Sequence, residues 1–267
     1  MREIEPHRPR AIDASLAWHA AMGAGWLLAP QAWPWWLGGI AANHAVLTAA
    51  GLWPRSSLLG PNITRVPADP DGRGRVALTF DDGPNPALTP FVLEQLDAHR
   101  ARASFFCVGE RLQRHPQLAR QIVERGHAIE NHTQHHRHNF AFLGSAGLRR
   151  EIEAAQRSTA SVVGEVPRFF RAPAGLRNPL LQPVLASLNL RLTAWTRRGF
   201  DTVNGHADAV YGKLADALAD GDILLLHDGH CARDAHGRPV LFDVLPRLLR
   251  RIDELGLRAI TLREVLG

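Results

Sequence analysis

The strongest constraint on the fold is a regular alternation of short apolar segments with amphipathic ones, which begins near residue 72. Residues 76–80 and 223–227 are continuous apolar runs of the kind found in buried strands. Residues 147–163 and 240–255 instead carry apolar side chains at helical spacing. Repeated strand–helix units favour a parallel sheet. The pattern therefore predicts an α/β fold, and six or seven such units suit a distorted (β/α) barrel as well as an open sheet.

Polar side chains with catalytic potential follow the predicted strands, and each lies at the C-terminal end of its strand. Active sites of parallel α/β folds form at this end, because the loops that leave the strands converge there. Independent surface residues would not be expected to share one end of the sheet. The residues in question are Asp81, Asp82, His132, His136, Arg171, Asp201 and His227.

Two of these histidines, His132 and His136, are four residues apart. With one carboxylate they form a set of two histidines and one acid, which leaves metal positions open for water and substrate. The adjacent Asp81 and Asp82 can divide the work, one binding the metal and the other accepting a proton from water. Taken alone, loop histidines are often simply solvated and an Asp-Gly-Pro sequence is often an ordinary turn. Their combination predicts a hydrolytic metal site.

Several short motifs resemble those of the NodB-homology polysaccharide deacetylases, carbohydrate esterase family 4. Thr79-Phe80-Asp81-Asp82-Gly83-Pro84 and His132-Thr133-x-x-His136 resemble the first two motifs, Arg171-x-Pro173-x-Gly175 the third, and Leu225-x-His227 the fifth. The resemblance covers about residues 75–265. It implies a distorted (β/α) barrel, a divalent metal ion (Zn²⁺, with Co²⁺ as the alternative), and removal of N-acetyl groups from amino sugars.

The resemblance also implies a role for each matched position. Asp81 would be the catalytic base, and Asp82, His132 and His136 would be metal ligands. His227 would protonate the leaving amine, with Asp201 raising its pKa, and Arg171 would orient the base. The backbone N–H of Ala174 would hold the oxyanion. Pro173, Gly175 and Leu225 would lie on the substrate side of the site, and Thr133 would support the metal ligands.

Some positions depart from the family pattern. Ala174 replaces the usual aromatic residue of the third motif, and Arg198 and Thr202 replace an Asp and a Trp of the fourth. The smaller Ala and Thr side chains are expected to open the site to a bulkier or different acyl-sugar. Asp228 remains a rival of Asp201 as the partner of His227. Arg197 and Arg198 either meet a phosphate or carboxylate of the substrate or form an ordinary solvated pair.

A second unit, residues 1–66, precedes the catalytic domain at residues 72–267. Residues 14–54 contain no Asp, Glu, Lys or Arg and hold six of the seven tryptophans. Pro30 and Pro34 divide this run into an apolar helical hairpin. Its helix lengths and terminal tryptophans favour a membrane anchor through residues 14–53. A hairpin packed on the catalytic domain and a signal peptide are the alternatives.

The position of the chain relative to a membrane follows from its arginines. Arginines flank both ends of the hairpin, which predicts a bacterial-type inner membrane with the catalytic domain facing the cytoplasm. The periplasmic face is the alternative.

The formal net charge is +5, yet the arginines are scattered among acids rather than gathered in a stripe. Nucleic-acid binding is therefore not predicted.

The function expected from these features is a metal-dependent N-deacetylase acting on an acetylated amino-sugar glycan, such as a cell-envelope or lipid-linked saccharide. A hydrolase of the same superfamily acting on another amide or an O-acetyl ester is the nearest alternative. A catalytically inactive, membrane-anchored sugar-binding domain is a third. The complete set of base, ligands and acid argues against inactivity, because an inactive relative would be free to lose some of them.

Overall fold

The computed structural model describes residues 9–69 and 71–267. Two long helices come first and an α/β domain follows. The helices are α1 (Arg10–Leu28), α2 (Trp33–Leu52), α3 (Thr89–Ala98), α4 (Gly109–Arg114), α5 (Pro116–Glu124), α6 (Ser145–Val163), α7 (Leu181–Ser187), α8 (Ala207–Ala215), α9 (Leu241–Glu254) and α10 (Leu262–Leu266). The strands are β1 (Arg75–Asp81), β2 (Ser104–Cys107), β3 (Ala128–Asn131), β4 (Phe169–Phe170), β5 (Arg191–Leu192), β6 (Arg197–Arg198), β7 (Ile223–His227) and β8 (Arg258–Ile260).

The strands form one curled sheet in the order β5-β4-β3-β2-β1-β7-β6, and its strand pairs are parallel. The short β8 pairs with the first residues of β1, whereas β2 pairs with the last ones. Among the described residues β5 and β6 are not paired to each other, so the sheet stays open as a half-barrel. The predicted α/β fold of the barrel type is thereby confirmed.

The alternation of side chains along β1 decides which residues face the site. Val76, Leu78 and Phe80 belong to the apolar cluster that packs against the helices. Thr79 and Asp81 take the intervening positions and face the inside of the curl, where Arg171 contacts both. Strand β7 alternates in the same way, with Leu224 and Leu226 in the helix-facing cluster. Its last residue, His227, therefore reaches the same interior as Asp81.

The sequence pattern also predicts a strand at residues 190–195, but the structure pairs only Arg191–Leu192, as β5. Beyond it, the N–H of Ala194 donates to Ile63. The carbonyls of Thr193 and Ala194 accept hydrogen bonds from Arg171. These backbone groups are thus used by a side chain and by a distant segment rather than by a regular strand. The short elements α4, α7, α10 and β6 are too brief to give a periodic signal and were not predicted.

The two N-terminal helices confirm the predicted helical hairpin. They are joined by a 3₁₀ turn at Pro30–Ala32, and α2 packs back along α1. The Nδ2 of Asn43 donates to Ser15 Oγ at 2.7 Å, and the indole of Trp18 donates to the Gly39 carbonyl at 2.9 Å. Across residues 9–69 and 71–267, no helix combines the length and the apolar character needed to cross a membrane. The prediction of a membrane anchor through residues 14–53 is therefore not supported.

The base of the hairpin is fixed to the catalytic domain. The N–H of Arg177 donates to the Gly51 carbonyl at 3.1 Å, and Ile63 donates to Leu192 at 2.9 Å. Gly51 is required for the close approach, because a Cβ there would lie 2.3 Å from the Arg177 carbonyl oxygen. The segment after α2 consequently folds against the sheet.

A glycine pair in α2 tests this docking. Gly51→Ala is expected to lower the free energy of unfolding by about 1–3 kcal/mol, because the added methyl group collides with backbone. Gly38→Ala is the matched control, since a Cβ there meets nothing within 4 Å. It should leave stability unchanged or raise it by up to about 1 kcal/mol through helix propensity. Urea unfolding measures both, and equal effects of the two substitutions would contradict the docking described.

Candidate metal centre and active site

Three predicted ligands converge on one point at the C-terminal ends of the strands. Asp82 Oδ1 lies 3.3 Å from His132 Nε2 and 3.1 Å from His136 Nε2. One donor atom from each residue lies within 4.8 Å of the others, which fits a single cation. Asp82 Oδ1 is buried and has no hydrogen-bond partner. Burying a carboxylate oxygen without a partner costs free energy, and a cation bound at this point would offset that cost.

The protonation states of these ligands also suit a metal. Burial, together with the neighbouring His132, lowers the pKa of His136 to about 4, so the imidazole is neutral near pH 7. Burial would raise the pKa of Asp82, but the neighbouring histidines, His132 first, lower it below its usual range. Metal ligands must be deprotonated to bind. The carboxylate and the imidazole of His136 meet that condition.

The orientation of each ligand has a local cause. His132 Nδ1 donates to the Arg171 carbonyl at 2.8 Å, which leaves the Nε2 lone pair facing the ligand centre. Thr133 has a φ of 65° and its Oγ1 accepts from the N–H of His136 at 3.0 Å, which folds the loop between the two histidines. Asp82 has a φ of 71°, a left-handed conformation that Asp tolerates in turns. The predicted supporting role of Thr133 fits these contacts.

Asp81 is held by the most buried cation of the domain. Arg171 is 1% exposed, and its Nη1 donates to Asp81 Oδ1 at 2.6 Å and to Thr79 Oγ1 at 2.9 Å. The guanidinium also stacks on Phe106, 4.0 Å from the ring centre. The other carboxylate oxygen, Asp81 Oδ2, lies 4.0 Å from His132 Nε2. One oxygen of Asp81 is therefore anchored while the second faces the metal ligands.

His227 is paired with Asp201 rather than with Asp228. Its Nδ1 donates to Asp201 Oδ1 at 2.9 Å, and its backbone N–H donates to Asp201 Oδ2 at 2.8 Å. Burial alone would lower the pKa of His227, but the charge and hydrogen bond of Asp201 outweigh it and raise the pKa to about 8. The ring is thus protonated near neutral pH, with Nε2 free.

The rival carboxylate, Asp228, has a different environment. It accepts a hydrogen bond from Thr89 Oγ1 at 2.5 Å and lies against Gly83, where a Cβ would be 2.3 Å from its Oδ2. Burial, with the nearby charges of Asp82 and Asp81, raises the pKa of Asp228 to about 7. Asp228 therefore packs against the Asp82–Gly83 turn. Its side chain accepts its hydrogen bond from Thr89, whereas the His227 ring is bonded to Asp201.

The remaining predicted residues fall into two groups. Ala174 is exposed with a φ of 55°, and its backbone N–H donates to no acceptor in the described chain. It is therefore available to a ligand. Pro173 is buried, and Gly175 packs so closely on Trp195 that a Cβ would lie 2.7 Å from its ring. Leu225 is 1% exposed in an apolar cluster, so its position serves packing.

Several residues that hold the ligand loops in place were not predicted from the sequence. Arg111 donates to the carbonyl of Asp82 and so supports the ligand turn from α4. Asn131 Oδ1 accepts from the N–H of Thr133 at 2.9 Å, and Glu151 accepts from the N–H of His135 at 3.1 Å. Asn131 directly precedes His132, which was the available signal for it. Arg111 and Glu151 come from helices distant in sequence, and no motif marks them.

The neighbouring arginines Arg197 and Arg198 differ completely in their surroundings. Arg197 donates to Asp222 at 2.6 Å and to two backbone carbonyls, so it is a structural residue of the sheet edge. Arg198 makes no hydrogen bond or ion pair through its guanidinium within residues 9–69 and 71–267, and its Nε is buried without a partner. Only Arg198 of the predicted pair is available to a substrate.

The chain is similar to several proteins of known family. Residues 68–193 match the family model described as Polysaccharide deacetylase. A peptidoglycan-N-acetylglucosamine deacetylase of Bacillus cereus is 32% identical over 74% of this chain and 90% of its own length. A chitooligosaccharide deacetylase of Sinorhizobium fredii is 35% identical over 73% and 93%. The solved structure of a family 4 carbohydrate esterase from Streptomyces lividans in complex with acetate is 31% identical, with a TM-score of 0.62 over 70% of this chain and 91% of that one.

Metal content tests the ligand assignment. Purified protein loaded with Zn²⁺ and freed of excess by gel filtration should retain about one ion per chain, because the three donors converge on a single point. His132→Ala should lose most of it, because one of the three converging donors is removed. His236→Ala, which changes an exposed histidine outside the site, should retain it. Elemental analysis measures the ratio, and full retention of zinc by the His132 variant would refute the site.

Proposed function

Because this chain belongs to the polysaccharide deacetylase family, a family of hydrolases that act on C–N bonds other than peptide bonds, we propose that it removes N-acetyl groups from N-acetylglucosamine residues of a cell-envelope glycan. The observation that carries the proposal is the convergence of three groups at one edge of the sheet. They are the ligand set around Asp82, the Asp81–Arg171 pair and the His227–Asp201 pair. Together they provide the base, the metal site and the acid that amide hydrolysis requires.

We propose zinc as the metal, since two imidazoles and one carboxylate with open positions are typical catalytic zinc donors. Held by Asp82, His132 and His136, the ion would supply a Lewis acid that polarises the acetyl carbonyl and lowers the pKa of water. Asp82 contributes the negative charge of the site. Hydrogen bonds fix the His132 ring and the backbone of His136 before any ligand arrives, so little reorganisation is needed on binding.

Asp81 accepts the proton of the attacking water in this mechanism. Its Oδ1 is bound by Arg171 at 2.6 Å, so the proton goes to Oδ2, which faces the ligand centre. The ion pair with Arg171 also fixes the orientation of the carboxylate, so Oδ2 stays directed at the ligand centre. Water then adds to the acetyl carbonyl, and the N–H of Ala174 donates to the oxygen that becomes negative.

His227 completes the reaction by protonating the sugar nitrogen. An amide nitrogen leaves poorly without a proton, and the protonated ring holds one on Nε2 because Asp201 binds Nδ1. The C–N bond breaks as this proton is transferred, which gives acetic acid and the free amine. Asp81 then loses its proton to solvent, His227 takes up a new one, and the released acetic acid ionises to acetate, so the chain is regenerated.

Acetate release tests the proposed activity. Zinc-loaded protein is expected to release acetate from chitotetraose or from peptidoglycan fragments, and a chelator should abolish the release. Asp81→Asn should lower kcat about 10²–10⁴-fold with zinc content unchanged, because the base is lost while the ligands stay. Asp71→Asn, which changes an exposed carboxylate, is the matched control and should keep full activity. Failure of zinc-loaded protein to release acetate from any acetylated glycan would refute the proposal.

The pH dependence tests the acid. Activity should fall as the pH rises through about 8, because His227 loses the proton that it must donate. In Asp201→Asn the charge that raises the pKa is gone while burial remains, so the alkaline limb should move down by about one pH unit or more. A pH profile of kcat measures this shift. An unmoved alkaline limb in the variant would contradict the assignment of His227 and Asp201.

A further inference from the structure

A cavity of about 600 Å³ lies where the hairpin meets the catalytic domain. We propose that it binds the anionic linker and the apolar chain of a lipid-linked amino sugar, so that the substrate of the proposed deacetylase is an N-acetylated sugar joined to a lipid through a phosphate. The inference rests on the proposed function and specifies its substrate class.

The walls of the cavity are apolar and come from both units. Leu52, Trp53 and Pro54 line it from the hairpin, and Trp195 and Phe200 line it from the catalytic domain. Leu52 is 60% exposed, Trp53 61% and Phe200 43%. Large apolar side chains gathered around a concave surface lose unfavourable contact with water when an apolar ligand binds. The cavity therefore favours a hydrocarbon chain over a polar sugar.

Two arginines, Arg55 and Arg198, line the same cavity, and its described lining contains no acidic residue. The Arg198 guanidinium lies 5.4 Å from the Trp195 ring centre and 4.9 Å from that of Phe200, and no carboxylate of the described chain pairs with it. Arg55 bonds only to the Thr196 carbonyl, at 3.3 Å. The Lys213 ammonium lies close to the cavity, 5.4 Å from the ring centre of the wall residue Phe200. These cations, next to apolar walls, complement a ligand with one anionic group and one chain.

A phosphate fits this charge better than other anions would. A guanidinium binds two phosphate oxygens at once, and a phosphodiester carries the sugar on one side and the chain on the other. Aromatic rings on two sides hold the Arg198 side chain in place, so little side-chain freedom is lost when the phosphate binds. A neutral glycan chain would leave Arg198 without any partner.

The cavity adjoins the catalytic centre through a shared wall. The Trp195 ring has Arg198 on the cavity side at 5.4 Å and Arg171 at 5.9 Å. Arg171 is the residue that binds Asp81. A phosphate at Arg198 is thus separated from the residue that orients the base by one indole ring.

Four probes separate the two parts of the proposed ligand. They are N-acetylglucosamine 1-phosphate esterified with farnesol, N-acetylglucosamine 1-phosphate, dodecyl N-acetylglucosaminide below its micelle concentration, and chitotetraose. They carry both features, phosphate alone, chain alone, and neither. With zinc-loaded full-length protein, kcat/KM for acetate release should be highest for the farnesyl ester, by about 10-fold or more over each of the others.

Variants assign each feature to its residue. Arg198→Gln should reduce the preference for phosphate-bearing probes about 10-fold, because the charged hydrogen bonds are lost. Trp53→Ala should reduce the preference for chain-bearing probes about 10-fold, because apolar contact is lost. Trp35→Ala removes another exposed hairpin tryptophan, which lies outside the cavity, and should leave both ratios unchanged. Leu52→Ser replaces the Trp53 variant if thermal unfolding shows that the latter is not folded.

The outcomes distinguish this inference from the proposed function. Acetate release from chitotetraose without preference for the farnesyl ester overturns the lipid-linked substrate and leaves the deacetylase intact. Equal ratios in wild-type protein and in the Arg198 and hairpin variants overturn the cavity as the binding site. A phosphate preference that needs no chain, with N-acetylglucosamine 1-phosphate as good as the ester, also overturns it. Absence of release from all four probes counts against the deacetylase itself.

Discussion

The buried ion pair between Arg171 and Asp81 is the interaction on which the rest of the site depends. The guanidinium joins the end of β1 to the carbonyls of Thr193 and Ala194 at the far side of the curl. The carbonyl of the same residue orients His132. Loss of one partner of a buried pair costs about 3–5 kcal/mol, because the other charge is left without compensation. Base and ligand geometry therefore depend on one side chain.

The open curl of the sheet makes this possible. A closed barrel would pair the edge strands with each other and use up the backbone carbonyls there, whereas here β5 ends at Leu192 and the next carbonyls are free to accept from Arg171. The strand alternation that sends Val76, Leu78 and Phe80 to the helices leaves the inner positions to polar residues. The chemistry thus occupies the face of the sheet that the helices do not cover.

The predictions from sequence succeeded where spacing alone constrains the geometry. Asp82 follows β1, and His132 and His136 follow β3, at the same end of one parallel sheet, so their meeting could be foreseen. The choice between Asp201 and Asp228 could not be made from the sequence. Asp228 directly follows His227, and Asp201 comes shortly after the end of β6, so the sequence favours neither. Only the packing of Asp228 against Gly83 and Thr89 removes it from the His227 ring.

Other features depend on contacts between distant segments, which sequence patterns do not encode. Nothing in the run Arg197-Arg198 indicates that Asp222 pairs with the first residue and that the second stays unpaired. The uncharged run at residues 14–54 predicted a hairpin correctly, although no helix within residues 9–69 and 71–267 has the length and apolar character to cross a membrane. His19, Asn43 and His44 lie between the two helices, where they contact each other or Ser15.

Two of the residues that depart from the family motifs, Ala174 and Arg198, lie next to the base of the hairpin. Arg198, at a position where the resemblance expects an acid, lines the cavity that Trp53 and Pro54 close. Pro54 also packs on Gly175, 2.8 Å from where a Cβ would stand, next to the exposed Ala174. The hairpin base therefore contacts the third and fourth motifs at the points where they change. A chain that lacked the hairpin would expose this surface, so Arg198 and the hairpin base form one continuous wall beside the proposed site.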